Sequence, residues 1–294
     1  MMRKTFLQLL SAFSLINSTM KAKELVGFAT QLNNSEKMPL LFLGHGSPMN
    51  AITVNEFTLG FEQIATTFEK PQAVLCISAH WETKGTAVTA MEFPPTIHDF
   101  GGFPEELYQV QYPAHGQPAL ANTIQQHVSR TKIGLDEKWG LDHGAWSVLK
   151  HLYPKADVPV LQLSLDYIQS PQYHYDLAKQ LAFLRNKGVL ILGSGNIVHN
   201  LGRIAWNKME EDNYAYDWAR EAQTDVNRFI SAKNHQPLIH YHTLGQAFNL
   251  AIPTPEHYLP LLYILGLQET NETAYIFNDK AVAGSLTMTS VKIG

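Results

Sequence analysis

Three short apolar runs in this sequence each lead into a histidine at the same end. The runs and their histidines are residues 39–43 with His45, residues 73–79 with His80, and residues 189–195 with His199. Runs of this length that are bounded by turn residues predict buried β-strands rather than helices. Because the carboxyl ends of parallel strands meet at one edge of a sheet, where α/β proteins usually hold their ligands, we expect the three histidines to share one site.

Helical patterns between the apolar runs determine the predicted fold class. Residues 55–70 have apolar side chains at helical spacing, so they predict a strand–helix–strand unit with parallel strands. Residues 206–230 have the pattern of a polar helix, and the last strands are expected between residues 273 and 287. This alternation predicts a single α/β domain in which helices flank a central, mostly parallel sheet.

The first 37 residues differ from the rest of the chain. A basic start, Met1 to Lys4, precedes an apolar stretch of about a dozen residues, which matches a signal-peptide core and is too short for a membrane span. Residues 3–8 also resemble a twin-arginine export signal with Lys4 in place of the second arginine. The alternative is an N-terminal amphipathic helix. We therefore expect an N-terminal extension over residues 1–37, a folded domain over 38–294, and a cytoplasmic or periplasmic location without a stable membrane span.

Composition excludes several classes of protein. The chain has 22 Lys and Arg against 26 Asp and Glu, with no basic stripe that carries interleaved aromatic residues, so no nucleic-acid partner is expected. Its single cysteine, Cys76, excludes an internal disulfide and a cysteine zinc cage. Cys76 lies inside an apolar run, so we expect it to be a buried small side chain. The oligomeric state stays open.

Four of the 13 histidines are placed as metal ligands would be. His45, His80 and His199 follow the apolar runs, and His257 lies beside Glu256 at a predicted helix start. Neutral imidazole is the commonest protein ligand for divalent first-row metals. The pattern therefore predicts a metal site at the C-terminal ends of the strands.

Two further histidines lie in loops beside an aspartate. These pairs are His98-Asp99 and Asp142-His143. A loop imidazole near a metal can act as an acid, a base or a donor to substrate oxygens, because its pKa lies near the working pH. The other seven histidines show only surface or loop character.

At these residues the sequence resembles class III extradiol ring-cleavage dioxygenases, in particular the DOPA 4,5-dioxygenase branch. The motifs occur in family order between residues 38 and 293, and they are GHGSP at 44–48, SAHWE at 78–82, the His98 loop, LDHG at 141–144 and GSGNIVHN at 193–200. The resemblance implies a single α/β catalytic domain that opens a catechol ring next to its hydroxyl groups with O₂. It implies non-haem iron(II) for ring cleavage, with zinc(II) found at the same site in some members.

The resemblance also implies residue roles. His45, His80 and His257 would hold the metal, and His199 would be the acid/base residue or a fourth ligand. His143 and His98 would contact the substrate, and His143 would also donate to charge that develops during the reaction. An all-histidine set is neutral and suits tetrahedral zinc as well as iron, so the choice between the two metals stays open.

Two other functions fit the same histidines. A zinc-dependent hydrolase could use a histidine-bound zinc to activate water, but the sequence has no HExxH motif and only Glu82 or Glu256 as an evident base. A non-catalytic metal-binding protein could share the fold. Retention of His98, His143 and His199 favours an enzyme, because a binding module needs no acid/base residues. The preferred catechol substituent stays open.

Overall fold

The computed structural model describes residues 35–294, and four parallel strands form its centre. The strands, in chain order, are β1 (Leu40–Gly44), β2 (Ala73–Thr83), β3 (Ala87–Thr89), β4 (Gly134–Asp136), β5 (Val160–Asp166), β6 (Val189–Gly195), β7 (Ala274–Phe277), β8 (Ala281–Val282), β9 (Leu286–Thr287) and β10 (Ser290–Ile293). Eight of them form one sheet in the order β4-β3-β5-β2-β6-β1-β10-β7, while β8 and β9 pair separately. Strands β5, β2, β6 and β1 are mutually parallel. The prediction of a single α/β domain with a mostly parallel sheet is confirmed.

Helices cover both faces of this sheet. They are α1 (Glu56–Ala65), α2 (Glu105–Tyr108), α3 (Pro118–His127), α4 (His143–Leu152), α5 (Pro171–Lys179), α6 (Asp217–Ser231), α7 (Gln236–Ile239), α8 (Gln246–Ala251) and α9 (Leu259–Gly266). Successive side chains of a strand point to opposite faces, so a strand buried on both faces is apolar throughout. In β6, Ile191 packs in the cluster that contains α9, and Leu192 packs in the cluster that contains Trp146 of α4. Cys76 is buried on the α4 side, as expected.

Several element boundaries differ from the predictions. The helix predicted over 55–70 ends at Ala65, and β6 lies between β1 and β2, so these two parallel strands are not neighbours. The helix predicted over 206–230 begins only at Asp217. Trp206–Lys208 is a 3₁₀ turn, and residues 214–216 pair with Gly284, because Tyr216 N–H donates to the Gly284 carbonyl and Gly284 N–H donates to the Tyr214 carbonyl. The last strand, β10, lies beyond the predicted range and inserts beside β1.

Most of the predicted N-terminal extension lies outside the described residues, and its export signal or helix remains a prediction. Its last residue, Lys37, forms ion pairs with Glu269 and Glu272, both at 2.8 Å. No helix within residues 35–294 has the length and apolar character that crossing a membrane requires.

Candidate metal centre

Three histidines from distant parts of the chain converge at one end of the parallel strands. His45 follows β1, His80 lies in β2, and His257 precedes α9. The ring centroids of His45 and His80 are 5.0 Å apart, those of His45 and His257 are 5.3 Å apart, and those of His80 and His257 are 5.0 Å apart. One nitrogen of each ring lies within 4.8 Å of the others. This near-equilateral triangle has the size of a three-ligand metal site.

His80 does not follow its strand, as the sequence suggested, but lies within it. Strand β2 continues to Thr83, while its pairing with β6 ends at Ser78 and its register with β5 shifts between Ile77 and Glu82. Such an irregularity re-aims side chains locally. It places His80 beside the ends of the neighbouring strands.

Close backbone contacts position His45. Its N–H donates to the Gly195 carbonyl of β6 at 3.1 Å, and its own carbonyl accepts from Asn50 Nδ2 at 2.9 Å. A Cβ atom on Gly44 would lie 2.6 Å from the Met288 carbonyl, and Gly46 has a φ of +63°. Both positions favour glycine, the first for space and the second for conformation.

His257 is held against the end of β6. Asn196 N–H donates to the His257 carbonyl at 2.9 Å, and Gly195 packs so closely that a Cβ atom there would lie 2.1 Å from the same oxygen. The segment before α9 can approach β6 only because residue 195 has no side chain.

We expect Gly195→Ala to weaken metal binding, because the added methyl group must displace the His257 backbone. Displacement of a ligand by a fraction of an ångström should cost at least as much as loss of an outer-sphere contact, about 10–100-fold in metal affinity. Titration with zinc against a chromophoric chelator measures this. Gly134→Ala is the control, since its Cβ would meet only ordinary contacts, the nearest at 3.5 Å. Equal affinities in both variants would contradict this account of residue 195.

Hydrogen bonds leave Nε2 of His45 free. Its Nδ1 lies 3.0 Å from Ser194 Oγ, and the Ser194 hydroxyl donates its single hydrogen to the Gly144 carbonyl. Ser194 Oγ must therefore accept from His45, so Nδ1 carries the proton and Nε2 has the lone pair. A metal-binding histidine almost always donates its second ring nitrogen in this way.

Carboxylates face Nδ1 of the other two histidines. Asp99 Oδ2 lies 3.4 Å from His80 Nδ1, and Glu256 Oε1 lies 3.1 Å from His257 Nδ1. An ionised carboxylate only accepts hydrogen bonds, so these contacts also favour a protonated Nδ1 and a free Nε2. Burial alone would raise the pKa of Glu256, but hydrogen bonds from His257 and Thr254 lower it to about 2.

The free nitrogens of His45 and His80 face each other. Their Nε2 atoms are 3.2 Å apart, and both carry lone pairs in the tautomers described above. Two nitrogens bound at about 2.0–2.1 Å to one tetrahedral ion lie about 3.3 Å apart. A divalent cation therefore fits this arrangement, which otherwise leaves two acceptors in contact.

Burial keeps these imidazoles uncharged. It lowers the pKa of His45 well below its usual value, with the neighbouring histidines His80 and His257 acting in the same direction. Burial, followed by the neighbouring charges of His143 and His257, lowers the pKa of His80 to about 2. Neutral imidazole is the form that binds metals, so the nitrogens of His45 and His80 can bind a cation at neutral pH.

His199 lies against this triangle. Its ring stacks on that of His257 with a centroid distance of 3.5 Å and an interplanar angle of 8°. One nitrogen of His199 lies within 4.8 Å of ligand atoms of Glu256 and His257. Burial and the neighbouring charge of His257 lower the pKa of His199 to about 3. The position allows either a fourth ligand or a base beside the metal.

His143 contacts the triangle from the other side. It is the first residue of α4, and its ring centroid lies 3.8 Å from that of His80. Asp99 accepts from His143 Nδ1 through Oδ2 and from His143 N–H through Oδ1, both at 2.8 Å. Asp99 therefore pairs with His143 rather than with its sequence neighbour, and His143 keeps Nε2 for other partners.

His98 is connected to the histidine cluster through the ring of Phe100. Its Nε2 donates to the Val110 carbonyl at 3.0 Å. Its ring contacts Phe100 at a centroid distance of 5.8 Å, and Phe100 in turn contacts His143 at 5.5 Å. Phe103 and Tyr108 pack on Phe100. The structure thus brings His45, His80, His143, His199 and His257 together and places His98 in an aromatic wall beside them.

Residues that hold the histidines were missed by sequence reasoning. Ser194 is hydrogen bonded to His45, which lies 149 positions away in the sequence. Asp99 is hydrogen bonded to His143, which lies 44 positions away. Asp142, which the sequence paired with His143, instead caps α4 by accepting from Ala145 N–H at 3.0 Å. The Asp-His pattern before a helix is a signal for such a cap.

Comparisons with known proteins identify similar sequences and structures. Residues 39–290 match the family described as the catalytic LigB subunit of aromatic ring-opening dioxygenase. The chain is 45% identical over 271 residues to the 4,5-DOPA dioxygenase extradiol of Escherichia coli (strain K12), covering 89% of this chain and 96% of that protein. It is 36% identical over 259 residues to the 4,5-DOPA dioxygenase extradiol of Beta vulgaris, covering 85% and 94%. A solved structure of an uncharacterized protein from E. coli K12 superposes with a TM-score of 0.73 at 41% identity, covering 87% of this chain and 100% of that one.

Proposed function

Since the chain belongs to the LigB family of aromatic ring-opening dioxygenases and is an extradiol ring-cleavage dioxygenase, we propose that it opens a catechol such as DOPA by 4,5-cleavage. The observation that carries the proposal is the convergence of three imidazole nitrogens, two of them 3.2 Å apart, with Ser194 beside the other ring nitrogen of His45 and Asp99 beside that of His80. The names of the E. coli and Beta vulgaris relatives supply the substrate class.

We propose His45, His80 and His257 as the ligands of a divalent metal, iron(II) for ring cleavage, with zinc(II) as another occupant. When bound, such a metal lowers the pKa of the catechol hydroxyl groups and orients the two reactants. The chain itself supplies the neutral donors and the acceptors that hold them, Ser194, Asp99 and Glu256.

His199 and His143 are proposed as the proton-transfer residues. His199 would take the second catechol proton and return it during ring opening, which for a positioned base contributes about 10²–10⁴-fold. His143 would donate from Nε2 to charge that develops on oxygen, because Asp99 occupies its Nδ1. Because Nδ1–H is directed to Asp99, a hydrogen-bond donor at Nε2 requires a second proton on the ring, so His143 would act in this role in its doubly protonated form.

The aromatic wall is proposed to enclose the substrate ring. Phe100 packs edge-on against His143, and its centroid lies 5.4 Å from Phe103 and 5.1 Å from Tyr108. Aromatic rings favour such edge-to-face and offset contacts with one another, and a catechol ring could join them. His98 would then act mainly by supporting Phe100, in addition to the substrate contact that the resemblance implies.

Anaerobic loading with iron(II), followed by DOPA and O₂, tests the proposal. We expect one O₂ consumed for each ring opened and a product whose NMR spectrum shows cleavage at the 4,5 bond. The zinc-loaded protein is the control, and it should consume no O₂ because zinc has no redox chemistry. Ester or amide cleavage by the zinc form without any oxygen uptake by the iron form would favour the hydrolase, and neither activity would favour a binding protein.

A further inference from the structure

A buried carboxylate that touches none of the proposed ligands connects the elements that carry them. Asp142 is fully buried and accepts hydrogen bonds from Ser78 Oγ at 2.6 Å and Gln162 Nε2 at 2.6 Å. It also accepts from Ala145 N–H at 3.0 Å and Trp139 Nε1 at 3.3 Å. All four partners donate, so the carboxylate form is the one that satisfies the site.

The orientation of Gln162 and Ser78 is fixed by their other hydrogen bonds. Gln162 Oε1 accepts from Asp142 N–H at 3.0 Å, which leaves its amide nitrogen to face the carboxylate. Ser78 Oγ accepts from His80 N–H at 3.2 Å, so its hydrogen is directed to Asp142. The first connection therefore runs from Asp142 through Ser78 to the backbone of His80.

A second connection reaches His45 through the first turn of α4. The Gly144 carbonyl in that turn accepts from Ser194, which in turn accepts from His45 Nδ1. Gly144 is also packed tightly, because a Cβ atom there would lie 2.4 Å from Ser78 Oγ and 2.8 Å from His80 Cδ2. A shift of this turn would move partners of His45 and His80 together.

A third connection concerns His143, which directly follows Asp142 in the chain. As the N-cap of α4, Asp142 sets where the helix begins and so where His143 projects. Asp99 holds the same residue by its N–H and its Nδ1. Three of the five clustered histidines are thus connected to one buried carboxylate: His143 as its neighbour in the chain, His80 through Ser78, and His45 through the first turn of α4 and Ser194.

We propose that Asp142 is a positioning residue that fixes the relative positions of His45, His80 and His143. It does so because one carboxylate is hydrogen bonded to β2, to β5 and to the first turn of α4. This inference rests on the proposed metal site and adds a residue to it. The side chain of Asp142 is hydrogen bonded to Ser78, Gln162, Ala145 and Trp139 and not to a proposed metal ligand. Its effect on metal affinity is exerted through Ser78 and through the Gly144–Ser194 hydrogen bond.

Metal affinity in matched variants tests this role. Zinc binding is titrated against a chromophoric chelator in the wild type, Asp142→Asn, Ser78→Ala and the double variant, with the cobalt(II) absorption spectrum as a second readout. Asp142→Asn should bind zinc about 10–100-fold more weakly, as loss of outer-sphere partners typically does, and should shift the cobalt bands. The amide NH₂ introduced at position 142 would face N–H and O–H groups that are themselves donors, so it could not accept their hydrogen bonds. Ser78→Ala should weaken binding less.

The double variant distinguishes a connection from two independent effects. If Asp142 acts on His80 through Ser78, the combined loss should fall clearly short of the product of the two single losses, because contacting residues are not additive. Glu272→Gln is the control. Glu272 is also a buried carboxylate, but it binds Arg185 and Lys37. Glu272→Gln should lower the urea concentration at the midpoint of unfolding and leave the affinity for zinc unchanged.

The possible outcomes separate this inference from the proposed function. A wild type that binds neither zinc nor iron(II) would overturn both. A wild type that binds metal, with unchanged affinity and cobalt spectrum in Asp142→Asn, would overturn the role of Asp142 alone. Should Asp142→Asn fail to fold, the milder Ser78→Ala decides, and wild-type affinity in that variant would overturn the proposal.

Discussion

We expect His257→Ala to weaken metal binding by more than about 100-fold and, with it, to abolish ring cleavage at ordinary metal concentrations, while the protein stays folded. The substitution removes one of three converging nitrogens, and two imidazoles cannot complete the site. Loss of outer-sphere partners alone weakens metal binding about 10–100-fold, so loss of a ligand should weaken it more. Metal analysis after dialysis, with O₂ uptake in the presence of DOPA, measures both effects.

A buried histidine outside the cluster provides the control for this substitution. His235 is hydrogen bonded through both nitrogens, to Tyr175 Oη and Gln268 Oε1, each at 3.0 Å. His235→Ala should lower stability through these lost contacts and retain stoichiometric metal. If His257→Ala bound metal as tightly as His235→Ala, the third ligand would have to be a different residue.

His199→Ala retains the metal but loses most turnover. We expect a fall in kcat of about 10²–10⁴-fold, the contribution of a positioned base. The His199 ring stacks on His257 and so lies close enough to the ligand triangle to exchange a proton with a bound substrate. Metal content and steady-state kinetics of the same preparation measure both properties, and exposed His240→Ala is the control.

Two results would change the role of His199. Wild-type turnover in His199→Ala would remove this residue from the mechanism. Loss of metal, at a level comparable with His257→Ala, would make His199 a fourth ligand. This second result is a defined alternative, because a nitrogen of His199 lies within 4.8 Å of ligand atoms of Glu256 and His257.

The strand that leads to His45 was predictable because the residues that specify it are adjacent in the sequence. An apolar run that ends at Gly-His-Gly fixes both a buried strand and a turn, and the structure places β1 over Leu40–Gly44. The convergence of His45 with His80 followed from the rule that parallel strands end at one edge. The exact position of His80 did not follow, because the register shift in β2 depends on how β5 pairs with it.

The hydrogen-bond partners of the histidines were not predictable in the same way. Asp99 is adjacent to His98 in sequence, yet it binds His143, because the loop that carries it folds back onto the start of α4. Ser194 acts on His45 only because β1 and β6 are neighbours in the sheet. Such pairings depend on tertiary structure, and no local pattern encodes them.

The errors in secondary structure have the same origin. Residues 206–216 have a polar pattern that suited a helix, but Trp206–Lys208 forms only a 3₁₀ turn, and the backbone bonds of Tyr214 and Tyr216 to Gly284 pair the last residues of this segment with a distant part of the chain. Distant pairing here overrides local propensity.

X-ray absorption at the metal edge of the protein loaded with zinc or iron(II) counts the imidazole ligands. We expect at least three imidazole nitrogens on the metal, at about 2.0–2.1 Å for zinc, with the multiple scattering that histidine rings produce. Their number should fall by one in His257→Ala under saturating metal. A spectrum with fewer than three imidazoles in the wild type, or dominated by oxygen donors, would contradict the proposed three-histidine site.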